Sequence, residues 1–498
     1  VIAVQYIDYV TLPWYKKIVV RLTKAAKNLG HNFVALISKI GKFLISAFTG
    51  IVGGIKYFFS TFWKGDIRTK LSYLFMGSGC LLRGQIVRGL AFLALQMFYI
   101  VYMVSFGWGQ LKLFPTLGTA TKKEIWDEVN QIYLYEQGDN SMLILLFSVL
   151  TIAISIVMFY LYFRNIRMAY ENQQLLKAGK KLNTIVDDAR EFLDKKLHVT
   201  FLSLPTLGVI FFTALPLIFM ILIAFTNYDK NHQPPGSLFT WVGLENFRNI
   251  LSGRDVLATT FKGVLAWTII WAIFATFSNY ILGMLLALMI NKKGIKFKSM
   301  WRTIFVITIA VPQFVTLLLM SRLLDDRGAV NILLGYLGMG PVKFLTDAAI
   351  ARVTVIVVNI WVGVPYTMLI TTGILMNIPA ELYESARIDG AGPYKTFTKI
   401  TLPYMLFVTT PYLITQFVSN INNFNVIFLL SGGNPLALDY YQAGKTDLLV
   451  TWLYKLTVNY QDYNLASTIG IMIFVISAAA SLIVYNSSSS AKKEGMFQ

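Results

Sequence analysis

Three sets of side chains stand at helical spacing inside long apolar runs, and their common chemistry is hydrogen bonding to neutral groups. Gln416, Asn420 and Asn423 recur at i, i+4 and i+7. Asn359, Gly363 and Tyr366 repeat that spacing, and so do Ile309, Gln313 and Thr316. A carboxamide both donates and accepts hydrogen bonds, and a tyrosine adds a hydroxyl and a ring face. Such a set suits a neutral, polyhydroxylated ligand, which needs many hydrogen bonds and a surface for the flat side of a sugar ring. The same amides would equally serve as glue between helices, because polar groups in lipid must find partners. The residue pattern leaves both readings open.

Other chemistries lack their residues. His31, His198 and His232 are far apart and share no ligand spacing, so no metal site is expected. Cys80 is the single cysteine, which excludes an internal disulfide. Ala443-Gly444-Lys445-Thr446 resembles the end of a phosphate-binding loop, but the first glycine of that motif would fall on Asp439. Asp325-Asp326 is the one acidic pair at the edge of an apolar run, and it has no companions of the kind an intramembrane glycosyltransferase needs. The interiors of the apolar runs hold no ionisable side chain for ion coupling, which disfavours a secondary sugar symporter. The energy source is therefore expected on another subunit.

The elements that position these residues are membrane spans. Of 498 residues, 56% are hydrophobic and 14% are charged, against roughly 25% charged in a soluble domain. Eight apolar runs, at 85–106, 141–163, 200–226, 263–290, 303–321, 353–375, 404–430 and 465–485, are each near the roughly 20 residues that cross a bilayer. The expected fold is all-α, a polytopic membrane protein with about eight transmembrane helices. Pro205, Pro216, Pro312, Pro365 and Pro411 sit within spans, where each is a candidate kink.

The net charge of +19 clusters between the runs rather than along one polar face, which points to lipid rather than nucleic acid. With the N-terminus inside, the inner segments carry 30 Lys and Arg and the outer ones 11. Both termini are therefore expected in the cytoplasm. Val1–Tyr15 does not read as a cleavable signal. Residues 16–70 are basic and amphipathic, with Lys16, Lys17, Arg21, Lys24 and Lys27 among Val, Leu and Ala. Lys39, Lys42 and Lys56 argue against a span there, and an interfacial helix fits better. The expected division is 1–70 as this extension, 71–199 as two spans with a charged helical linker, 200–485 as a six-helix core, and 486–498 as a tail. The outer segment 227–260, with Pro234-Pro235-Gly236, is a candidate folded cap.

The inner loop 376–403 has its own organisation. Pro379 suits the first turn of a helix, and Glu381 and Glu384 match its dipole. Gly390 suits the residue after its end, and Pro393 prevents simple continuation. A short exposed helix over about 379–389 is thus expected, suited to docking a cytoplasmic partner.

Glu384-Ser385-Ala386, Gly390 and Ile400-Thr401-Leu402-Pro403 resemble the EAA loop of permease subunits in binding-protein-dependent ABC importers, with Ser385 in place of the first alanine. Asn359 to Tyr366, Asn420 to Phe424, Ser431 to Pro435, Gly444 to Leu449 and Tyr463 to Ser467 resemble the MalF-type subunit of maltose and maltodextrin importers. The resemblance spans about 70–485. It implies the type I ABC importer permease fold, in a bacterial cell membrane, and transport of maltodextrin-like oligosaccharides by alternating access. The implied partners are a second homologous permease subunit, two ATPase subunits that hold ATP-Mg, and an extracytoplasmic sugar-binding lipoprotein. No cofactor and no ATPase site are implied for this chain. The implied sugar contacts are Gln313, Asn359, Gly363, Tyr366, Asn420 and Asn423, and the resemblance also matches Ile309, Val362 and Ser419 to positions of the family's sugar pocket. The implied coupling residues are Glu384, Ser385, Ala386, Gly390, Ile400, Leu402 and Pro403. Permeases for other oligosaccharides share the same resemblance.

Overall fold

The computed structural model describes residues 52–128, 130–136, 138–253, 255–292 and 294–487, preceded by 38, 41–42, 45–46 and 49–50. The basic positions Lys16 to Lys27 and most of the tail lie outside the described residues. Among the described residues the named elements are helices, apart from one antiparallel hairpin. Six helices are long and apolar enough to cross a membrane, and two bent pairs bring the number to eight if each pair is one span. The chain divides into two compact units, Val1–Val242 and Gly243–Gln498.

The first unit contains α1 (Ile67–Leu74), α2 (Ile86–Leu113), the hairpin strands β1 (Lys123–Asp127) and β2 (Ile132–Glu136), α3 (Ser141–Lys177), α4 (Ile185–Leu193) and α5 (Leu197–Ile223). At 1.5 Å per residue the 37 residues of α3 run about 55 Å, well beyond a roughly 30 Å hydrocarbon core. The extension carries buried amides. Gln173 Oε1 accepts from the Thr69 hydroxyl at 2.9 Å, Asn165 Oδ1 from the Gly77 N–H at 2.9 Å, and Asn172 donates to Gln85 at 2.7 Å. These bonds fix the turns between α1 and α2. Deeper in, Tyr102 and Tyr99 reach Thr151 and Ser155 at 2.8 and 2.9 Å, joining α2 to α3. The expected cap begins in this unit: Tyr228 stacks on Phe239, and Trp241 donates to the Phe114 carbonyl at 3.0 Å.

The second unit contains α6 (Glu245–Ser252), α7 (Val256–Asn291), α8 (Lys298–Ala310), α9 (Gln313–Leu323), α10 (Ala348–Met376), α11 (Ala380–Ile388), α12 (Pro393–Ile421), α13 (Phe424–Leu430), α14 (Leu449–Val458) and α15 (Tyr463–Ser487). Helices α7 and α10 are held close because Gly283 has no side chain: a Cβ there would lie 2.7 Å from Thr367 Cβ and 2.9 Å from the Met368 nitrogen. Tyr280 on α7 meets Thr409 on α12 at 2.8 Å, hydroxyl to hydroxyl. Three buried tryptophans tie the helices to the loops. Trp267, Trp271 and Trp452 donate to the carbonyls of Thr446, Asn420 and Tyr441 at 3.1, 3.1 and 2.9 Å.

Two of the expected spans are not single helices. Helices α8 and α9 meet at 86°, and α12 and α13 at 41°. Pro312 offers no N–H to the α8 ladder and drives Val311 into an extended conformation, φ −76° and ψ 124°. At the second break the Asn423 side chain accepts from the Val426 N–H at 3.2 Å and so starts a new helix instead of prolonging α12. Proline also explains two wide turns. The π-helical segments Ile210–Ala214 and Phe397–Thr401 precede Pro216 and Pro403, and each proline has no N–H to offer the carbonyl four residues before it.

Candidate functional site

The residues of the sixth expected span keep their common face, because α10 runs unbroken through Asn359, Gly363 and Tyr366. Gly363 and Tyr366 line a cavity of ≈ 60 Å³ among α7, α10 and α12. Thr276, Asn279 and Tyr280 enter it from α7, Thr367 from α10, and Tyr412 and Gln416 from α12. It is a cleft rather than a sealed void, since Tyr366 is half-exposed. Its lining offers carboxamides, hydroxyls and aromatic rings, the groups that recognise a neutral polyhydroxylated molecule.

Glycine at 363 has a steric cause. A Cβ there would stand 2.8 Å from Asn279 Cγ and 3.1 Å from Asn279 Oδ1. The Asn279 amide thus fills the space a side chain would take. Its oxygen is buried and has no hydrogen-bond partner, and the same holds for the Asn359 side-chain nitrogen. A buried orphan of this kind costs about 1–3 kcal/mol.

The other predicted contacts fall elsewhere. Gln313 opens α9 on the far side of the 86° break, exposed, so it does not share a continuous helix face with Ile309. Asn420 is buried, donates to the Thr276 hydroxyl at 3.0 Å, and accepts from the Asn423 amide at 3.3 Å. Asn423 caps α13, so the i, i+7 relation to Gln416 fails at the helix break. Gln313 and Asn359 are not among the residues lining the cavity. Sequence reasoning overlooked Thr276, Asn279, Tyr280, Thr367 and Tyr412 as lining residues. The available signal was the polar cluster Thr276, Ser278, Asn279 and Tyr280 inside the apolar run 263–290.

The loop 376–403 forms the expected helix and turn. Helix α11 has Glu381 in its first turn and Arg387 in its last, each matched to the helix dipole. Gly390 adopts φ +67°. Its N–H donates to the Arg387 carbonyl at 3.0 Å, and the Ala391 N–H donates to the Ala386 carbonyl at 2.8 Å. This is the paired hydrogen bonding of a Schellman turn, which needs a left-handed residue at the position of Gly390. Ala386 is buried, while Glu384 and Ser385 are exposed. Tyr383 reaches Thr401 at 3.1 Å and braces α11 against the base of α12, where Ile400, Leu402 and Pro403 sit. The outer tip keeps apolar groups in the open: Ile388 is 87% exposed and Tyr394 79%.

The loop after α13 disposes of the phosphate-loop resemblance. Lys445 bonds Asp439 at 2.7 Å and lies 3.8 Å over the Tyr440 ring. That bond holds the Asp439 carboxyl below the usual carboxylate range. Thr446 is buried and bonds Ser431 and the Asn434 carbonyl at 2.9 and 2.6 Å. The Gly444 N–H donates to Asp447 at 2.7 Å, so these groups serve the loop itself. Among the described residues, no group of three or more His, Cys, Asp or Glu is placed to hold a metal ion.

Residues 279–492 match the family described as Binding-protein-dependent transport system inner membrane component. The chain is 35% identical to the galactooligosaccharides transport system permease protein GanP of Bacillus subtilis (strain 168), covering 84% of this chain and 96% of that protein. The chain belongs to this family. The permease is also 33% identical to the maltodextrin transport system permease protein MdxF of the same organism, over 87% of this chain and 98% of that protein. A solved bacterial alginate ABC transporter, in complex with an alginate pentasaccharide-bound periplasmic protein, has a chain that shares the fold of the permease. The TM-score is 0.50 at 23% identity, covering 60% of this chain and 97% of that one. The permease is thus a multi-pass membrane component of a transport system, and its loop 376–403 carries the EAA motif typical of the family.

Proposed function

We propose that the permease forms half of the translocation path of an ATP-driven importer for maltose- or maltodextrin-like oligosaccharides. The observation that carries this reading is the closed turn after α11, which presents exposed Ile388 and Tyr394 beside Glu384 and Ser385. A rigid knob with an apolar tip suits docking to an ATPase subunit. In this reading two ATPase subunits hold ATP-Mg, and this chain has no ATPase site of its own. A second homologous permease subunit completes the path, and an extracytoplasmic sugar-binding lipoprotein delivers the sugar. Both termini lie in the cytoplasm, in keeping with the excess of Lys and Arg in the inner segments.

ATP binding closes the ATPase dimer, α11 moves with it through Gly390, Ala386, Ile400, Leu402 and Pro403, and the spans switch from inward-open to outward-open. Gln313, Asn359, Gly363, Tyr366, Asn420 and Asn423 contact the sugar in the open state. Asn420 and Asn423 are bonded to each other in this conformation, so they engage the sugar by exchanging that bond. The likeness to a maltodextrin permease over nearly its whole length supports the substrate class. The comparable likeness to a galactooligosaccharide permease favours a second reading, transport of another oligosaccharide.

The test is ATPase stimulation by the loaded binding protein, in the reconstituted complex, across maltodextrins and galactooligosaccharides of several lengths. Stimulation by maltodextrins is expected. Stimulation by galactooligosaccharides alone would replace the first reading with the second, and stimulation by neither would sink both.

A further inference from the structure

Asn279 is the side chain on which the cavity converges without satisfying it. Its oxygen is buried and unpartnered, and the residue lines the cleft together with Thr276, Gly363, Tyr366, Tyr412 and Gln416. An amide kept only to join helices would have its acceptor filled, as Asn420 does on the neighbouring helix. Gly363 is held to hydrogen because the Asn279 amide occupies its side-chain space. The pair is therefore a matched arrangement: α10 gives up a side chain so that α7 can project a carboxamide into the cleft. The half-exposed Tyr366 ring on the same cleft gives a sugar face a surface to rest on.

We propose that Asn279 is a ligand-contacting residue whose carboxamide oxygen accepts a hydrogen bond from a hydroxyl of the transported oligosaccharide, with Gly363 serving to make room for it. This rests on the reading of the permease as a sugar transporter. It gives Gly363 a second role beside direct contact: the glycine also acts through Asn279. The chemistry selects a hydroxyl donor, because a carboxamide oxygen only accepts.

The experiment is a double-mutant cycle on Asn279 and Gly363 in the full reconstituted importer, reading the KM and maximal rate of uptake for maltotriose and for a galactotrisaccharide. Asn279→Ala is expected to raise KM for the transported sugar about three- to tenfold, the loss of one neutral hydrogen bond. Gly363→Ala should raise KM by displacing the amide. The double variant should be no worse than Asn279→Ala alone, because the overlapping group is gone. If Asn279→Ala assembles poorly, Asn279→Ser retains a small acceptor and should lie between it and the parent in KM. Unchanged KM in the assembled Asn279 variants, or a Gly363→Ala effect that persists in full without Asn279, would overturn the proposal. Parent complex that takes up no oligosaccharide would fell the sugar reading and this inference with it. Parent uptake with unaltered Asn279 kinetics would fell only the inference.

Discussion

The backbone N–H of Ala391 donates to the Ala386 carbonyl at 2.8 Å, and that bond places Gly390 between them at φ +67°. A Cβ at Gly390 would meet nothing within 4 Å, so substitution there costs backbone strain rather than a clash. Gly390→Ala should cost about 1 kcal/mol in the turn, Gly390→Val more, and Gly390→Asn less, because asparagine tolerates the left-handed region. Sugar uptake should fall in the order Gly, Asn, Ala, Val, with ATPase activity increasingly uncoupled from it. Uptake and ATP hydrolysis measured together on the reconstituted complex check this. Equal coupling in all four would remove the turn from the docking role.

The exposed tip gives a second prediction. Docked against a partner, Ile388 would bury most of a side chain, about 1.5–3 kcal/mol of apolar burial. Ile388→Asp should lower ATPase copurification at least tenfold. The isolated permease should keep its melting temperature, since an exposed site away from the core changes stability by about 0.5 kcal/mol or less. Normal copurification would show that the tip is not part of the contact.

The turn after α11 was legible in the sequence because its causes are local: a proline before, a glycine after, and acidic residues in the first turns. The apolar runs were legible for the same reason, as each is a property of one segment. Helix periodicity failed at Gln313 and Asn423, because it assumes an unbroken helix. Pro312 and the Asn423 cap break the helices within the very spacing being counted. Asn279 was passed over because its significance depends on Gly363, 84 residues away in sequence. Nothing in either segment alone announces the close approach of α7 and α10. The buried amides Asn165, Asn172 and Gln173 were hidden for a like reason, as their partners lie in the segment 64–85.

Asp447 and Lys455 form an ion pair at 2.6 Å with the carboxylate fully buried. Burial raises the Asp447 carboxyl above its ordinary range, opposed by Lys455, Gly444 and Thr451. Removing the cation alone, Lys455→Met, should destabilise the permease by about 3–5 kcal/mol, because the buried group loses its counter-charge. Asp447→Asn combined with Lys455→Met should recover part of that loss. Thermal unfolding in mild detergent would decide it: a double variant as unstable as Lys455→Met rules out an ionic origin.

Asp66 caps α1 by accepting from the Thr69 N–H at 2.8 Å, and it meets Arg83 at 2.6 Å. Partial burial pushes its carboxyl up, but the bonds to Thr69 and the Arg83 charge outweigh this and hold it below the ordinary range. A carboxyl lowered in the folded state adds stability above its unfolded value, near pH 4. That contribution is lost as pH falls through the folded value. Asp66→Asn should therefore be less stable than the parent at pH 7, by up to about 1 kcal/mol given the partial exposure of the pair. The gap should close in acid. Melting curves at pH 7 and pH 3 provide the check, and a gap of constant size would mean the carboxylate charge is irrelevant.

The break at Val311-Pro312 has a consequence for how the permease responds to mutation. A helix that stops leaves its last four carbonyls without intrahelical donors, here those at the end of α8, and a helix that starts leaves its first N–H groups free of the ladder. Those dipoles belong to the main chain. Replacing side chains around Gln313 one at a time leaves them in place, so an alanine scan of this span will understate its polarity. Only a change that restores the continuous helix, such as replacing Pro312, can silence them.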